Sequence, residues 1–286
     1  MSKSVRPIRI IYTPESSLRH PRRLFRAMGG DLLASRELAW RLLVRDIKAQ
    51  YRQSILGLVW AFVPPILTAA GLLAAKNVGA INVGATAIPY PAYVIFSMSL
   101  WQTFVEALSG PLAAVGAAKP MLARINFPRE AIILAKIGEI FFNLAIKLIL
   151  VIATFLWFQV PITPSILLTP VPVIHLVLLG TALGLLLAPL GALYGDIARL
   201  IPLIVTPWLL LTPVIYPVPT QGWLKVVVNL NPVTPLLVTA RELATTGTLT
   251  DATSFWVVSG VAWGLILFAW LCYRLTMPMI VERISA

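Results

Sequence analysis

The sequence predicts an all-α integral membrane protein with six transmembrane helices, and three observations carry that reading. Of the 286 residues, 58% are hydrophobic and 12% are charged, against about a quarter charged in soluble domains. Stretches of roughly twenty residues with few or no charges recur, long enough to cross a bilayer as helix. They are runs of Leu, Ile, Val and Ala, not the alternating segments of about ten residues that build a transmembrane barrel.

Residues 1–35 form a cytoplasmic N-terminal segment, and 36–53 read as an amphipathic helix. At 100° per residue, Trp40, Leu43, Val44, Ile47 and Tyr51 share an arc of about 100°. Glu37, Arg41, Arg45, Lys48 and Arg52 share one of about 80° on another side. Such a helix lies in the membrane interface, its aromatic-bearing face among acyl chains. The basic face meets anionic head groups or a protein. No linker separates it from the transmembrane domain, 54–286. The spans are 55–76, 91–113, 131–158, 166–191, 200–217 and 254–275, with Gly, Pro and Asn marking breaks at 82–91, 159–164 and 229–235. The first span starts too late for a cleavable signal.

Twelve of the 23 Lys and Arg lie in the first 52 residues. Counted over all connections, nineteen fall on one side of the membrane. Lys76, Lys225 and Arg241 fall on the other, and Lys147 lies within a span. This bias places both termini in the cytoplasm and explains the +12 net charge without nucleic acid. Cys272 is the one cysteine, and His20 and His175 are far apart, which argues against a disulfide or a metal centre.

The 116–136 connection, GAAKPMLARINFPREAIILAK, predicts a short helix over 120–125 with Met121, Leu122 and Ile125 on its apolar face. Asn126-Phe127-Pro128 ends it, because the residue before Pro avoids the α region. The fifth span holds Pro202, Pro207, Pro213 and Pro217, so it reads as a kinked helix whose freed carbonyls need partners. On the third helix, Lys136, Glu139, Asn143 and Lys147 share one side, and Glu106 lies at similar depth on the second. Charges at that depth pair, which predicts a Glu106–Lys147 or Glu139–Lys147 contact. Gly180-x-x-x-Gly184 and Gly191-x-x-x-Gly195 permit close helix approach.

No phosphate-binding G-x-x-x-x-G-K-[ST], nucleophile elbow or H-E-x-x-H is present. The chain is therefore not expected to be an enzyme by itself. It binds no cofactor of its own in this reading, and active transport would need ATP and Mg on a separate subunit.

Five stretches, RDIKAQYRQSILGLVWAFVPP (45–65), INFPRE (125–130), YGDIARLI (194–201), LTPVIYP (211–217) and NPVTPLLVTARE (231–242), resemble the ABC-2-type permeases of bacterial polysaccharide export. That group covers O-antigen, capsular and teichoic-acid exporters. The resemblance runs from residue 36 to the end. It implies a half-transporter in the bacterial cytoplasmic (inner) membrane that pairs with a second copy of itself and two copies of a P-loop ATPase. The substrate would be a lipid-linked glycan, carried on undecaprenyl diphosphate through a channel between the protomers.

The resemblance makes 36–53 the interface helix and 119–130 the coupling helix. It thereby assigns ATPase docking to Arg41, Arg45, Lys48, Arg52, Lys119, Pro120, Arg124, Phe127, Pro128, Arg129 and Glu130. Residues 218–250 would hold re-entrant gate helices. Sugars stack on aromatic surfaces, so Trp60, Phe62, Trp101, Phe104, Trp208 and Tyr216, with Pro213 and Trp223, are the candidate channel and gate residues. Glu106, Glu139, Asn143 and Lys147 form the intramembrane polar network. The rival readings are a membrane-embedded transferase acting on a lipid-linked sugar and a secondary transporter. Within the exporter reading, the cargo is O-antigen-like, teichoic acid or capsule.

Overall fold

The computed structural model describes residues 21–52, 59–60, 62–80, 83–122, 124 and 127–285. The described residues are all-helical, with no strand: α1 (Pro21–Arg52), α2 (Val63–Asn77), α3 (Tyr90–Leu122), α4 (Glu130–Trp157), α5 (Pro170–Leu193), α6 (Asp196–Leu210), α7 (Gly222–Leu230), α8 (Val233–Thr245) and α9 (Ala252–Ser285). A 3-10 turn, Pro164–Leu168, leads into α5.

Among the described residues three segments are long and apolar enough to cross a membrane outright: Glu130–Trp157, Pro164–Leu193 and Ala252–Arg283. They match the third, fourth and sixth predicted spans. α7 and α8, bent by 91° at their break, form a fourth candidate as one bent unit. Asn231 is extended there because it precedes Pro232.

The other predicted spans are redrawn. α2 starts at Val63, not near 55, with Pro64 and Pro65 in its first turn, where the missing N–H costs nothing. Residues 53–58 lie outside the described residues. Fifteen residues rise about 22 Å, short of a hydrocarbon core of about 30 Å. α6 is also fifteen residues long and stops at Leu210, not at 217. α3 has length to spare at 33 residues, but Ser97, Ser99, Gln102, Thr103 and Glu106 dilute its apolar character.

Two cytoplasmic expectations also change. The helix expected at 36 begins at Pro21, because its first half has partners: Met28 and Ser35 are buried and Asp31 pairs with Arg274. No separate helix begins at Pro120. α3 runs through Pro111 and Pro120 to Leu122, carried by Val115 and Leu122 in the core formed with Ala131, Ile132 and Tyr273. Ile125 and Asn126 lie outside the described residues.

α3 is the central helix. It packs against α2, α4, α5 and α6, and most of its side chains from Tyr90 to Leu112 are buried. Its closest partner is α5, where glycines bring two backbones together. A Cβ on Gly180 would stand 2.7 Å from the Ala107 Cβ, one on Gly184 would strike the Leu108 carbonyl, and one on Gly191 would strike the Leu112 side chain. Gly195, the fourth glycine of the predicted pattern, meets nothing. α9 closes the far side of α5. Its first turn is capped by Asp251, whose Oδ1 accepts from the Ser254 N–H at 2.9 Å. Hydrogen bonds from the Ser254 side chain and backbone hold that carboxyl below its ordinary value.

Gly184→Ala should therefore lower the melting temperature of the purified protein, since forcing a methyl into a packed contact costs about 1–3 kcal/mol. Gly195→Ala should leave it unchanged. Equal effects at both positions would remove the close-approach account.

Candidate functional site

α3 is covered on nearly every side, yet one stripe of it is open. Gln102, Glu106, Ser109 and Gly116 are half-buried, and Ala113, Ala117 and Pro120 are exposed. At 3.6 residues per turn these positions share one face. They are small or polar, which lipid does not favour. A cavity of about 350 Å³ opens between this stripe and α6, lined by Ser109, Ala113, Pro202 and Thr206 among others. A second, of about 250 Å³, lies between α1, α3 and α4, lined by Arg45, Ala113, Met121 and Lys136 among others. Ala113 lines both, so the two adjoin along α3 and make up the groove on its open side.

The polar network stands beside this groove. The Lys147 ammonium, 3% exposed, lies 2.5 Å from Glu106 Oε1, whose side chain is 32% exposed. Asn143 Nδ2 donates to Glu106 Oε2 at 3.2 Å. Glu139 takes Lys136 as its partner instead, at 2.8 Å. Of the two contacts open to Lys147 in the sequence, the structure makes the one with Glu106. Asn143 Oδ1 is buried without a partner.

The candidate channel aromatics divide. Trp101 and Phe104, 3% and 0% exposed, are core residues. They are tilted against each other at 5.6 Å and each meets Trp208 edge-to-face, at 6.2 and 5.2 Å, so neither presents a face to a path. Their stretch of sequence is apolar on every side, and burial takes the large rings first. Trp60 and Trp223 are exposed, and Phe62 is half-buried.

Trp208, Pro213 and Tyr216 meet at the end of α6, beside residues that sequence reasoning did not select. The kinked fifth span is here a helix that stops, and the carbonyls of the following turn are taken up by side chains. Tyr216 donates to the Leu210 carbonyl at 2.8 Å, and Tyr90 to that of Ile215 at 3.0 Å. The Tyr93 hydroxyl donates to the Tyr216 carbonyl at 2.7 Å, with that of Pro213 at 3.3 Å. Asn231 donates to Thr212 Oγ1 at 2.8 Å and accepts from Trp208 Nε1 at 3.1 Å. Arg241, counted in the sequence among exposed connection cations, is 8% exposed. It donates to the Pro213 carbonyl at 3.0 Å. The signal for it was present: a cation in the otherwise apolar run VTPLLVTA is a buried charge in need of partners.

The candidate docking residues lie around the α1, α3 and α4 junction. α1 has three faces. Ala39, Leu42 and Leu43 pack into the core shared with α4. Trp40 is 64% exposed beside half-buried Val44 and Ile47. Arg41, Arg45, Lys48 and Arg52 are exposed on the third. Arg41 pairs with Glu37 at 2.6 Å, and Arg45 with Asp46 at 2.8 Å. Pro120 and Arg124 are exposed at the end of α3, while Lys119, Phe127, Pro128 and Arg129 are half-buried. Glu130 is different. It is buried and pairs at 3.0 Å with Arg274, which also holds Asp31 at 2.5 Å. Glu130 therefore joins α1, α4 and α9 and offers no docking surface.

A family model described as the ABC-2 type transporter matches residues 37–243. Two relatives each bear the name O-antigen export system permease protein RfbA. The protein from Myxococcus xanthus is 25% identical over 239 residues, covering 81% of this chain and 89% of its own length. That from Klebsiella pneumoniae is 24% identical over 211 residues, covering 72% and 79%.

The Glu106–Lys147 pair makes an asymmetric prediction. Glu106→Gln leaves a buried ammonium without its counter-charge, and a broken buried pair costs about 3–5 kcal/mol. Lys147→Met leaves a carboxylate that can hydrate in the groove, so its unfolding midpoint should fall less. The double variant Glu106→Gln/Lys147→Met should be more stable than Glu106→Gln alone. The opposite order in denaturant unfolding would rule out this placement of the two charges.

Proposed function

Since the chain belongs to the ABC-2 type transporter family, we propose that it is the transmembrane subunit of an ATP-driven exporter that moves a lipid-linked, O-antigen-like polysaccharide across the bacterial cytoplasmic membrane. Two copies assemble with two ATPase subunits, and the glycan passes along the α3 groove between the protomers. In this reading the chain makes six crossings. α7 and α8 form a re-entrant pair on the outer side. The strong cation bias places α1 and the end of α9 in the cytoplasm.

The observation that carries the reading is the open stripe of α3. A helix otherwise sunk in the core keeps Gln102 and Glu106 half-buried on this stripe, and its Ser109 and Ala113 line a cavity whose other wall includes Thr206. A lipid-facing stripe would be apolar. One facing a hydrated glycan needs hydrogen-bonding groups and small side chains, and this one has both. The relatives' printed role in O-antigen export agrees with a glycan. The transferase reading loses support because the matched family is one of transporters.

The surfaces proposed for the ATPase converge. Arg45 and Asp46 of α1 line one cavity with Ala118 and Met121 of α3, so the basic face of α1 and the end of α3 lie side by side. A partner gripping both would move the helix that carries the groove.

Two experiments test this. Ala113→Trp, which fills the groove at the residue common to both cavities, should abolish glycan export while the partner ATPase still co-purifies. Export at the wild-type rate would exclude the groove as the path. The double reversal Arg45→Glu/Lys48→Glu should reduce the co-purified ATPase about tenfold, at roughly 1 kcal/mol or less per exposed charge contact, with membrane insertion intact. Full recovery of the ATPase would exclude that docking face. If export of a phosphate-rich polymer replaces that of a neutral glycan in the same assay, the cargo is teichoic-acid-like instead.

A further inference from the structure

We propose that Arg241 is a positioning residue: the clasp that holds the end of the bundle carrying the re-entrant pair closed. The proposal rests on the exporter reading for its purpose but not for its geometry.

Three elements meet at this guanidinium. It sits on α8 of the bent pair, and its Nη1 donates to Ser97 Oγ of α3 at 3.2 Å and to the carbonyl of Pro213 in the turn after α6 at 3.0 Å. Its plane lies over the Tyr93 ring, 4.3 Å from the centroid. Among the described residues no carboxylate stands within ion-pair distance, since Glu242 beside it is turned to the N–H and hydroxyl of Thr250. A buried cation is ordinarily paired. Here it is held by a carbonyl, a hydroxyl and a ring.

That choice of partners suits a contact that opens and recloses. Separating a buried ion pair strands two charges. Separating Arg241 from Pro213 strands one neutral carbonyl, and the cation keeps Tyr93 and Ser97. The turn it holds is itself dependent on such contacts. Pro202, Pro207, Pro213 and Pro217 remove backbone donors, and the carbonyls of Leu210, Leu211, Pro213, Ile215 and Tyr216 accept from side chains. The bent pair supplies two of those donors, Asn231 at its break and Arg241 on α8. Moving the pair therefore releases the turn, and moving the turn releases the pair. Val214, within the turn, is fully buried beneath these contacts.

The test uses the full chain in lipid nanodiscs, where both faces are accessible, with Cys272→Ser as background. Val214→Cys reports on the turn and Leu176→Cys, fully buried on α5, on the core. Adding Arg241→Met should raise the reaction rate of the position-214 thiol with a polar maleimide at least tenfold and leave the position-176 thiol protected. Arg241→Lys should fall between, and Tyr93→Phe, which keeps the ring but loses the hydroxyl, should raise it less than Arg241→Met. A protected position-214 thiol in both Arg241→Met and Tyr93→Phe would overturn the clasp, as would equal exposure of both thiols in Arg241→Met, which reports general loosening. Should Arg241→Met fail to fold, the Tyr93→Phe comparison decides. The measurement needs neither ATPase nor glycan, so a chain that clasps but never exports would sink the exporter reading and leave this one standing.

Discussion

The rest of the structure depends on the contact between the backbones of α3 and α5. Gly180, Gly184 and Gly191 leave no room for a side chain between the two helices, and in a membrane such close packing replaces the hydrophobic driving force that soluble helices share. The contact fixes which side of α3 faces inward. Phe104, Leu108 and Leu112 are committed to the core, and the rotation that puts them there leaves Gln102, Glu106, Ser109 and Ala113 on the open side. The groove is thus the other face of a packing decision. Its polarity is tolerable because Lys147 of α4 neutralises the one carboxylate on it at that depth.

The prolines after α5 show the same economy. A helix that ends inside a bilayer leaves carbonyls that only other protein groups can satisfy. The chain meets this with Tyr90 and Tyr93 from α3, Asn231 from the α7–α8 break and Arg241 from α8. Elements far apart in sequence are thereby joined through hydrogen bonds to the main chain.

Much of this was legible in the sequence, for identifiable reasons. The spans at α4, α5 and α9 are long and predominantly apolar, so composition alone drew them. The glycines of α5 were visible as small residues at four-residue spacing, and Glu106–Lys147 was one of two contacts the sequence left open for Lys147. What misled was position counted along one helix. Trp101 and Phe104 looked like channel surfaces because aromatics suit sugars, but which way they turn is decided by α5 and α6. Pro120 looked like a helix start, although the core around Val115 and Leu122 carries α3 through it. Arg241 was counted only as a cation on the far side of the membrane, because the bend at Asn231-Pro232, which packs α8 against α5 and α9, is a property of two helices together. Glu130 read as a docking residue because its partners, Arg274 and through it Asp31, lie toward the two ends of the chain.

That last arrangement has a mechanical consequence. Arg274 grips Asp31 of the first helix and Glu130 of the fourth, and Tyr273 beside it reaches the carbonyl of Arg129 at 3.4 Å. The beginning and the end of the described chain are thus riveted to the same corner. A displacement of α1 would act through Arg274 on α4 and α9 together, and α4 carries Lys147. A push at one surface would reach the groove as the rotation of a rigid frame.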